Sequence, residues 1–260
     1  SGATLYECSK MGIPCLIQEQ NSYAGVTNKL LAKRVQKICV AYEGMDRFFP
    51  ADRIIMTGNP VRQNVLDSPL TKEQARESFG LEPDKKTILI VGGSLGARTM
   101  NESVQRHLDI VAESGLQFIW QTGKYYNAKI IEFMKDKDVP NLKVLDFISD
   151  MGAAYKASDL VISRAGASSI SEFQLIGKPT ILVPSPNVAE DHQRKNAMAL
   201  VNRQAALYVE DAEAPDKLLP LAVKTVNDDD KLRSLSENVK KMGLKNSADV
   251  IADEVLKLIK

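Results

Sequence analysis

Short, continuous apolar runs recur along the second part of the chain, and helical patterns separate them. The runs are ILIVG (88–92), FIWQTG (118–123), VLDFI (144–148), LVISRAG (160–166) and TILVPSP (180–186). They do not alternate apolar with polar residues, as expected of strands that are covered on both sheet faces. The helical patterns lie at 97–113, 125–136, 151–157, 168–177 and 190–203. This order predicts right-handed crossovers and a doubly wound, parallel α/β sheet.

The first part of the chain has a smaller set of predicted strands, at 13–19, 37–42 and 53–60. Pro69 then breaks the chain, and Thr71 to Gln74 can form a capping box for a short helix. We therefore predict a domain boundary near residues 60–68. The sequence opens inside what resembles a helix leading into a strand and has no initiator Met, so we expect a fragment of a longer protein.

The end of the chain, 215–260, has a helical pattern. Gly243 is predicted to separate two helices, and Asn246 or Ser247 to cap the last one.

Composition excludes several classes of function. The net charge of +1 gives no global preference for nucleic acid. No apolar run approaches the roughly 20 residues of a membrane-spanning helix, and no signal peptide is recognisable. Three cysteines without metal-binding spacing and only two histidines argue against a metal site.

Open parallel sheets bind ligands at the carboxyl ends of their strands, which selects a few loops. VGGSLGAR (91–98) is neither a Walker A loop nor a G-x-G-x-x-G fingerprint. Its glycines, Ser94 and the following helix N-terminus nevertheless suit a phosphate group. The alternative is a tight strand-to-helix turn with glycines for packing.

A second glycine turn, SRAGASSISE (163–172), also leads into a helix. Ala167, Ser168 and Ser169 could present N–H groups to a diphosphate, and Glu172, predicted in the first turn, could accept both hydroxyls of a ribose. Alternatively, the serines cap the helix and Glu172 interacts with its dipole.

Two polar segments could contact a sugar. In PSPNVAEDHQRKNA (184–197), His192, Gln193 and Asn196 share one helix face, although a solvated helix start explains them as well. In QEQN (18–21), polar side chains at a strand end need partners, which the protein backbone or a polar ligand could supply.

Residues 24–37 predict a basic amphipathic helix with Lys29, Lys33, Arg34 and Lys37. Such a helix suits an anionic membrane surface, but a solvated helix face is the commoner explanation.

Five segments of the chain, taken in order, closely resemble the MurG family, and the resemblance runs along the whole chain. The segments are IQEQNSYAGVTNKLLA, GNPVR, VGGSLGAR-x-x-N, SRAGASSISE and DHQRKNA. Its members transfer N-acetylglucosamine from UDP-N-acetylglucosamine to lipid I and so make lipid II for peptidoglycan. The resemblance implies the GT-B architecture of two Rossmann-like domains. Residues 1–62 would be the end of an incomplete acceptor-binding N-domain, 63–243 the donor-binding domain, and 244–260 a helix packing back toward the N-domain.

The resemblance also implies roles for individual residues. Asn21 would touch the donor sugar or order the cleft, Arg62 would help neutralise phosphate, and Ser94 would bind the diphosphate. Ile148 would pack near the uracil and contact it through its backbone. Residues 167–172 would cradle the nucleotide, with Glu172 on the ribose. Gln193 and Asn196 would recognise sugar hydroxyls.

Gln18 stands where many relatives have His, and the family's usual catalytic base lies in a stretch that is absent here. No catalytic residue is therefore assigned, and we expect this chain alone to be inactive. The resemblance further implies no tightly bound cofactor or metal, a peripheral position at the cytoplasmic face of the inner membrane, and a role in cell shape and division. Two alternatives stay open: another UDP-sugar enzyme of the GT-B fold, such as an epimerase or a different transferase, and a fragment that only binds the donor.

Overall fold

Two separate parallel sheets organise the computed structural model, which describes residues 2–259. The smaller sheet has the order β1-β2-β3. Its strands are β1 (Leu16–Glu19), β2 (Lys37–Val40) and β3 (Ile54–Met56). The larger sheet has the order β6-β5-β4-β7-β8-β9, with every pairing parallel. Its strands are β4 (Thr87–Val91), β5 (Gln117–Gln121), β6 (Leu142–Leu145), β7 (Leu160–Ser163), β8 (Thr180–Leu182) and β9 (Leu207–Tyr208).

Helices connect the strands and cover both faces of the larger sheet. In the first part of the chain they are α1 (Gly2–Lys10), α2 (Val26–Leu31), α3 (Gln63–Leu66) and α4 (Lys72–Ser78). The larger sheet carries α5 (Arg98–Arg106), α6 (Leu108–Glu113), α7 (Asn127–Met134), α8 (Met151–Ala157), α9 (Ala167–Ile176) and α10 (His192–Val201). The chain ends with α11 (Ala214–Val226), α12 (Asp229–Lys241) and α13 (Ser247–Leu256).

The strand order places a topological switch point between β4 and β7. From β4 the chain moves outward through β5 to β6, and it then returns to β7 on the other side of β4 before continuing through β8 to β9. The loops after β4 and β7 therefore diverge to opposite faces of the sheet. A crevice opens between such loops at the carboxyl edge, and this crevice is the usual ligand site of a doubly wound fold.

Neighbouring residues along a strand of the larger sheet face opposite sides of the sheet and pack into two different apolar clusters. Leu89 and Val161 are fully buried in one apolar cluster, and Ile88 and Ile162 in the cluster on the other face. This burial on both sides explains why the strands appear in the sequence as unbroken apolar runs.

The predicted strands and most helices are confirmed, with differences at their ends. The strands stop earlier than their apolar runs, because the glycine and proline residues that follow them form loops. The pattern at 97–113 is two helices rather than one, since the backbone leaves the helical region at His107 (φ −114°, ψ 35°). The short strand β9 was not predicted.

Two capping predictions had different outcomes. Thr71 and Gln74 form the predicted capping box. Asn246 is the N-cap residue of α13, as predicted, but it has φ 59° and its side chain makes no capping hydrogen bond, while Ser247 already lies inside the helix.

The chain crosses between the two sheets twice. The first crossing follows β3 at Gly58, and the second precedes α13. The two crossings touch, because a Cβ atom at Gly58 would lie 2.8 Å from Leu244 Cβ. The α13 residue Glu254 forms an ion pair with Lys37 of β2, with 3.6 Å between Nζ and Oε2.

A buried ion pair ties α4 to the larger sheet. Arg76 is 5% exposed and donates to Asp159 Oδ2 over 2.8 Å, and the same oxygen accepts from Thr87 N. We expect Arg76→Leu to lower the free energy of unfolding by about 3 kcal/mol, because Asp159 then loses its buried partner. Urea unfolding measures this value. The exposed Arg233→Leu is the control, and equal effects of the two substitutions would contradict the assignment.

Candidate functional site

The loops after β4 and β7 lie side by side at the switch point, because Val91 pairs with Ser163. Each loop leads directly into a helix, α5 or α9. The N-cap residues of these helices, Ala97 and Gly166, provide no side-chain hydrogen bond. The first-turn N–H groups are therefore available for an anion, which the helix dipoles also favour. The structure contradicts the alternative in which serines cap α9.

The glycines of the first loop are required by close backbone approach. Gly96 has φ +85°, and a Cβ atom there would lie 2.2 Å from Thr122 O. Gly123, in the loop after β5, has φ +82°, and its Cβ atom would lie 2.1 Å from Gly96 N. Both positions need glycine for conformation and for space, so the two loops form one rigid unit.

Ser94 lies at the exposed tip of this unit. Its carbonyl oxygen accepts a hydrogen bond from Lys124 N over 3.2 Å, which fixes the backbone of the tip. The contact of the Ser94 hydroxyl group with a diphosphate stays a prediction.

Gln121, at the end of β5, is a site residue that the sequence analysis missed. Its Nε2 atom donates to Gly93 O over 2.9 Å and to Asp146 O over 3.3 Å. It joins the glycine loop to the loop after β6, which carries Ile148. A polar residue at the end of the buried run FIWQTG was the signal that could have identified it.

Ile148 directs its side chain into the protein, where it is 5% exposed and belongs to the core. The loop after β6 therefore offers its backbone, rather than this side chain, to a ligand. A contact of that backbone with a base stays a prediction.

Glu172 lies on α9 beyond the uncapped first turn. The first turn contains no acidic residue, which corrects our prediction of its position in the helix. The carboxylate is 8% exposed, accepts from Tyr155 Oη over 2.8 Å, and lies 3.9 Å from Arg62 Nη2. Burial raises the pKa of Glu172, although the Tyr155 hydrogen bond and the Arg62 charge both lower it.

Arg62 is the cationic partner in this group. Its side chain is 69% exposed, so it can turn from Glu172 toward an anion at the α9 N-terminus.

Tyr155 was missed by the sequence analysis, because a tyrosine within the predicted helix 151–157 gives no sign of what its hydroxyl contacts.

Asn196 is placed differently from its predicted role. It is fully buried. Its Oδ1 atom accepts from Ser22 N over 2.8 Å, and its Nδ2 atom donates to Asn21 Oδ1 over 2.9 Å. Both ends of the amide connect α10 to the loop after β1, so in this structure Asn196 holds the two parts of the chain together and offers no surface to a sugar.

Asn21 shares this contact, and its role in ordering the cleft or touching the donor sugar stays a prediction. Glu19 organises the same loop. It is 3% exposed, and its two oxygens accept from Asn21 N, Asn21 Nδ2, Gly25 N and Asn28 Nδ2. These four bonds give Glu19 a structural role.

Gln193 and His192 lie at the start of α10. Gln193 Oε1 accepts from Ser185 N over 2.9 Å, and His192 Nδ1 lies 2.8 Å from Ala189 O. Both side chains fix the loop after β8, next to the switch point. Recognition of sugar hydroxyls by Gln193 stays a prediction. Within residues 2–259, no group of three or more His, Cys, Asp and Glu side chains could hold a metal ion.

The arrangement as a whole suits an anion with an attached polyol. The uncapped α9 N-terminus and Arg62 favour a phosphate group, and Glu172 can accept two hydroxyls. The first-turn residues Ala167, Ser168 and Ser169 lie between the N-terminus of α9 and Glu172.

Comparisons with known proteins identify the family of this chain. The profile of the glycosyltransferase family 28 C-terminal domain matches residues 87–253, which contain the larger sheet and all of its loops. A relative from Bacteroides fragilis is 63% identical over 260 residues, which cover 99% of this chain and 68% of the relative. It is named UDP-N-acetylglucosamine--N-acetylmuramyl-(pentapeptide) pyrophosphoryl-undecaprenol N-acetylglucosamine transferase. A relative from Bacteroides thetaiotaomicron bears the same name at 63% identity, with 99% of this chain and 70% of the relative covered.

Two solved structures have a similar fold. The crystal structure of Acinetobacter baumannii MurG matches with a TM-score of 0.76 and 30% identity over 98% of this chain and 71% of that chain. The UDP-GlcNAc 2-epimerase from Neisseria meningitidis matches with a TM-score of 0.71 over 98% of this chain and 73% of that chain. At 16% identity, the second match shows the shared fold alone. With the family 28 profile and the relatives at 63% identity, the chain belongs to the MurG family of N-acetylglucosamine transferases.

Proposed function

We propose that this chain is the donor-binding part of an inverting glycosyltransferase that moves N-acetylglucosamine from UDP-N-acetylglucosamine to lipid I, forming lipid II for peptidoglycan. One observation carries the proposal: the uncapped N-terminus of α9 lies at the switch point, with the Glu172 carboxylate further along the same helix. A nucleoside diphosphate needs such a pair of groups, one for phosphate and one for ribose. The names of the relatives supply the sugar and the acceptor.

The proposed chemistry is a displacement at the anomeric carbon of the donor sugar. An acceptor hydroxyl attacks that carbon, a base takes the hydroxyl proton, and UDP departs. The N–H groups of α5 and α9 together with Arg62 would stabilise the negative charge that develops on the departing diphosphate. Glu172 would hold the ribose in place. The base is not assigned to a residue of this chain.

Product analysis tests the reaction class. The chain is incubated with UDP-N-acetylglucosamine and a soluble lipid I analogue, and the products are identified by mass spectrometry and NMR. Because the chain spans 68% of its B. fragilis relative, we expect donor binding without turnover by these residues alone, and a β-linked disaccharide from the longer relative. Formation of UDP-N-acetylmannosamine would contradict the proposal and favour the epimerase alternative.

The raised pKa of Glu172 gives the proposal a pH dependence. The ionised carboxylate accepts the ribose hydroxyls in charge-assisted hydrogen bonds, which protonation weakens, so donor affinity should fall as pH is lowered through the pKa of this group. Because burial raises that pKa, the decline should begin above pH 4.5, the ordinary value for glutamate. Calorimetric titration at a series of pH values measures it. Constant affinity down to pH 4.5 would contradict the ribose role.

We further propose that the protein binds peripherally to the cytoplasmic face of the inner membrane. No helix within residues 2–259 has the length and apolar content needed to cross a bilayer. On α2, Val26 is 57% exposed and Leu30 is 74% exposed, and the exposed Lys33 and Arg34 follow directly. Apolar side chains beside cations suit an anionic lipid surface.

The structure corrects the basic helix that was predicted at 24–37. Helix α2 ends at Leu31, because the next residues form a turn that leads into β2. Lys29 pairs with Glu190 over 3.5 Å, and Lys37 pairs with Glu254 over 3.6 Å. Lys33 and Arg34 are thus the cations that remain for a membrane, which narrows the predicted set.

The variant Lys33→Gln/Arg34→Gln should bind vesicles of phosphatidylglycerol and phosphatidylethanolamine about 30-fold more weakly at low salt, at roughly 1 kcal/mol for each cation. The difference should shrink as salt is added. Sedimentation of vesicles measures binding, and Lys224→Gln/Lys231→Gln removes the same charge elsewhere. If both double variants bind alike, the two cations form only a solvated surface.

A further inference from the structure

The loop that joins β8 to α10 contains two consecutive residues with a left-handed backbone conformation. Glu190 has φ 55° and ψ 20°, and Asp191 has φ 52° and ψ 34°. Neither residue is a glycine, so both conformations are strained. Within residues 2–259, the other two non-glycine residues with positive φ, Gln204 and Asn246, are isolated. Such strain persists only where the surrounding structure holds it, and it is concentrated at functional sites.

Contacts to both its side chain and its backbone hold Glu190 in this conformation. The Glu190 carboxylate lies 3.5 Å from Lys29 Nζ on α2. The Glu190 carbonyl oxygen accepts a hydrogen bond from Lys195 Nζ over 2.7 Å. Both ammonium groups also contact the Tyr23 ring, whose centre lies 4.6 Å from Lys29 Nζ and 3.2 Å from Lys195 Nζ. Lys29, Lys195 and Tyr23 together are called the Glu190 clamp below.

The Glu190 clamp joins the two parts of the chain. Lys29 and Tyr23 belong to the part with the smaller sheet, whereas Glu190 and Lys195 belong to the part with the larger sheet. The buried Asn196 separately fixes α10 to the loop after β1. Loss of the clamp therefore frees the loop before α10, while the helix itself stays in place.

The polar start of α10 follows this strained loop directly. His192 and Gln193 come immediately after Asp191, and the loop leaves β8, the strand next to β7. Gln193 is half-buried and accepts from Ser185 N through Oε1, which leaves its Nε2 atom as a donor. An amide donor at the edge of a phosphate site suits a hydroxyl of the group that the diphosphate carries.

We propose that Glu190 and its clamp are positioning residues for the donor sugar, because they hold the left-handed turn that directs His192 and Gln193 toward the sugar hydroxyls. The clamp reaches across the two parts of the chain, so the turn is held only while these parts keep their present spacing. Recognition of the sugar is thereby coupled to that spacing. This inference rests on the proposed donor function and assigns further residues to it.

Calorimetric titration with UDP-N-acetylglucosamine and with UDP, which lacks the sugar, is the test. Lys29→Gln should weaken the binding of UDP-N-acetylglucosamine by about threefold, as expected for the loss of a partly exposed ion pair. Lys195→Gln should weaken it by about fivefold, as expected for the loss of one hydrogen bond. The affinity is reduced because the freed loop must regain its turn when the sugar binds. The affinity for UDP should stay unchanged in both variants.

Further variants separate positioning from general loosening of the chain. Lys29→Arg keeps the ion pair and should bind the donor normally. Glu190→Gln should weaken binding as Lys29→Gln does, and the double variant should be no weaker than either, because both remove one shared contact. Lys37→Gln is the matched control, since it removes an ion pair of similar length, 3.6 Å to Glu254, at the start of β2. Melting temperatures check that each variant is folded.

Three results would overturn the proposal: unchanged affinity for UDP-N-acetylglucosamine in Lys29→Gln, equal weakening of UDP and UDP-N-acetylglucosamine, or the same effect in Lys37→Gln. In each case the unaltered chain still binds the donor, so the proposed donor site stands. Absence of binding of both ligands to the folded, unaltered chain would instead refute the donor site, and the positioning role with it.

Discussion

Glu172→Gln will weaken the binding of UDP-N-acetylglucosamine by about 10- to 100-fold, since a carboxylate that accepts two hydroxyls makes charge-assisted bonds worth about 1.5–3 kcal/mol. Glutamine keeps the shape but replaces one acceptor with a donor. The fold should remain intact, because burial raises the pKa of Glu172 and so disfavours its charged form, which glutamine removes. Tyr155 can still donate to the remaining oxygen. Calorimetric titration measures the affinity.

Two variants control this result. Glu237→Gln removes the same charge from the exposed surface of α12 and should bind the donor normally. Tyr155→Phe removes the hydroxyl that positions Glu172 and should weaken binding by about fivefold, as expected for one hydrogen bond. Unchanged affinity in Glu172→Gln, with an unchanged melting temperature, would remove the ribose role from this residue.

Gly123→Ala will lower the free energy of unfolding by about 3–5 kcal/mol and abolish donor binding. The position has φ +82°, and the added Cβ atom would lie 2.1 Å from the backbone nitrogen of Gly96. A backbone atom cannot relieve the clash by a rotamer change, as a side chain can, so the loops after β4 and β5 must move apart. That separation would move Ser94 and the N-terminus of α5 away from the crevice.

Gly115→Ala separates the cost of a positive φ from the cost of a steric clash. Gly115 also has φ +70°, but a Cβ atom there would meet nothing within 4 Å. Its cost should be only the conformational strain of about 1–2 kcal/mol, with donor binding preserved. Urea unfolding and calorimetry compare the two variants. If Gly123→Ala is no more costly than Gly115→Ala, the loops are not locked together as the structure indicates.

The sequence was sufficient to predict the elements that build the crevice. Continuous apolar runs identified β4 and β7, because strands covered on both faces are built mainly from apolar residues. The glycine turns after them marked the loops, since close backbone approach excludes larger residues. The two-residue strand β9 gave no such run, and the break at His107 had no glycine or proline to mark it.

Contacts across long stretches of sequence were beyond prediction from one chain. The side chain of Asn196 is hydrogen-bonded to Asn21, 175 residues earlier. The spacing of residues on one helix face cannot show that this amide already has partners within the protein. Gln193 and Asn196 share that face, yet one fixes a loop beside the crevice and the other joins the two parts of the chain. The partner of Tyr155 was hidden for the same reason.

Calorimetric titration of the chain with UDP-N-acetylglucosamine, UDP-glucose, ADP and NAD tests the central claim most directly. The proposed donor site predicts saturable binding of UDP-N-acetylglucosamine, weaker binding of UDP-glucose, and the weakened donor binding in Glu172→Gln that is described above. Preferential binding of ADP or NAD by the folded chain would contradict it, because the crevice would then be a dinucleotide or adenosine site rather than one for a uridine diphosphate sugar.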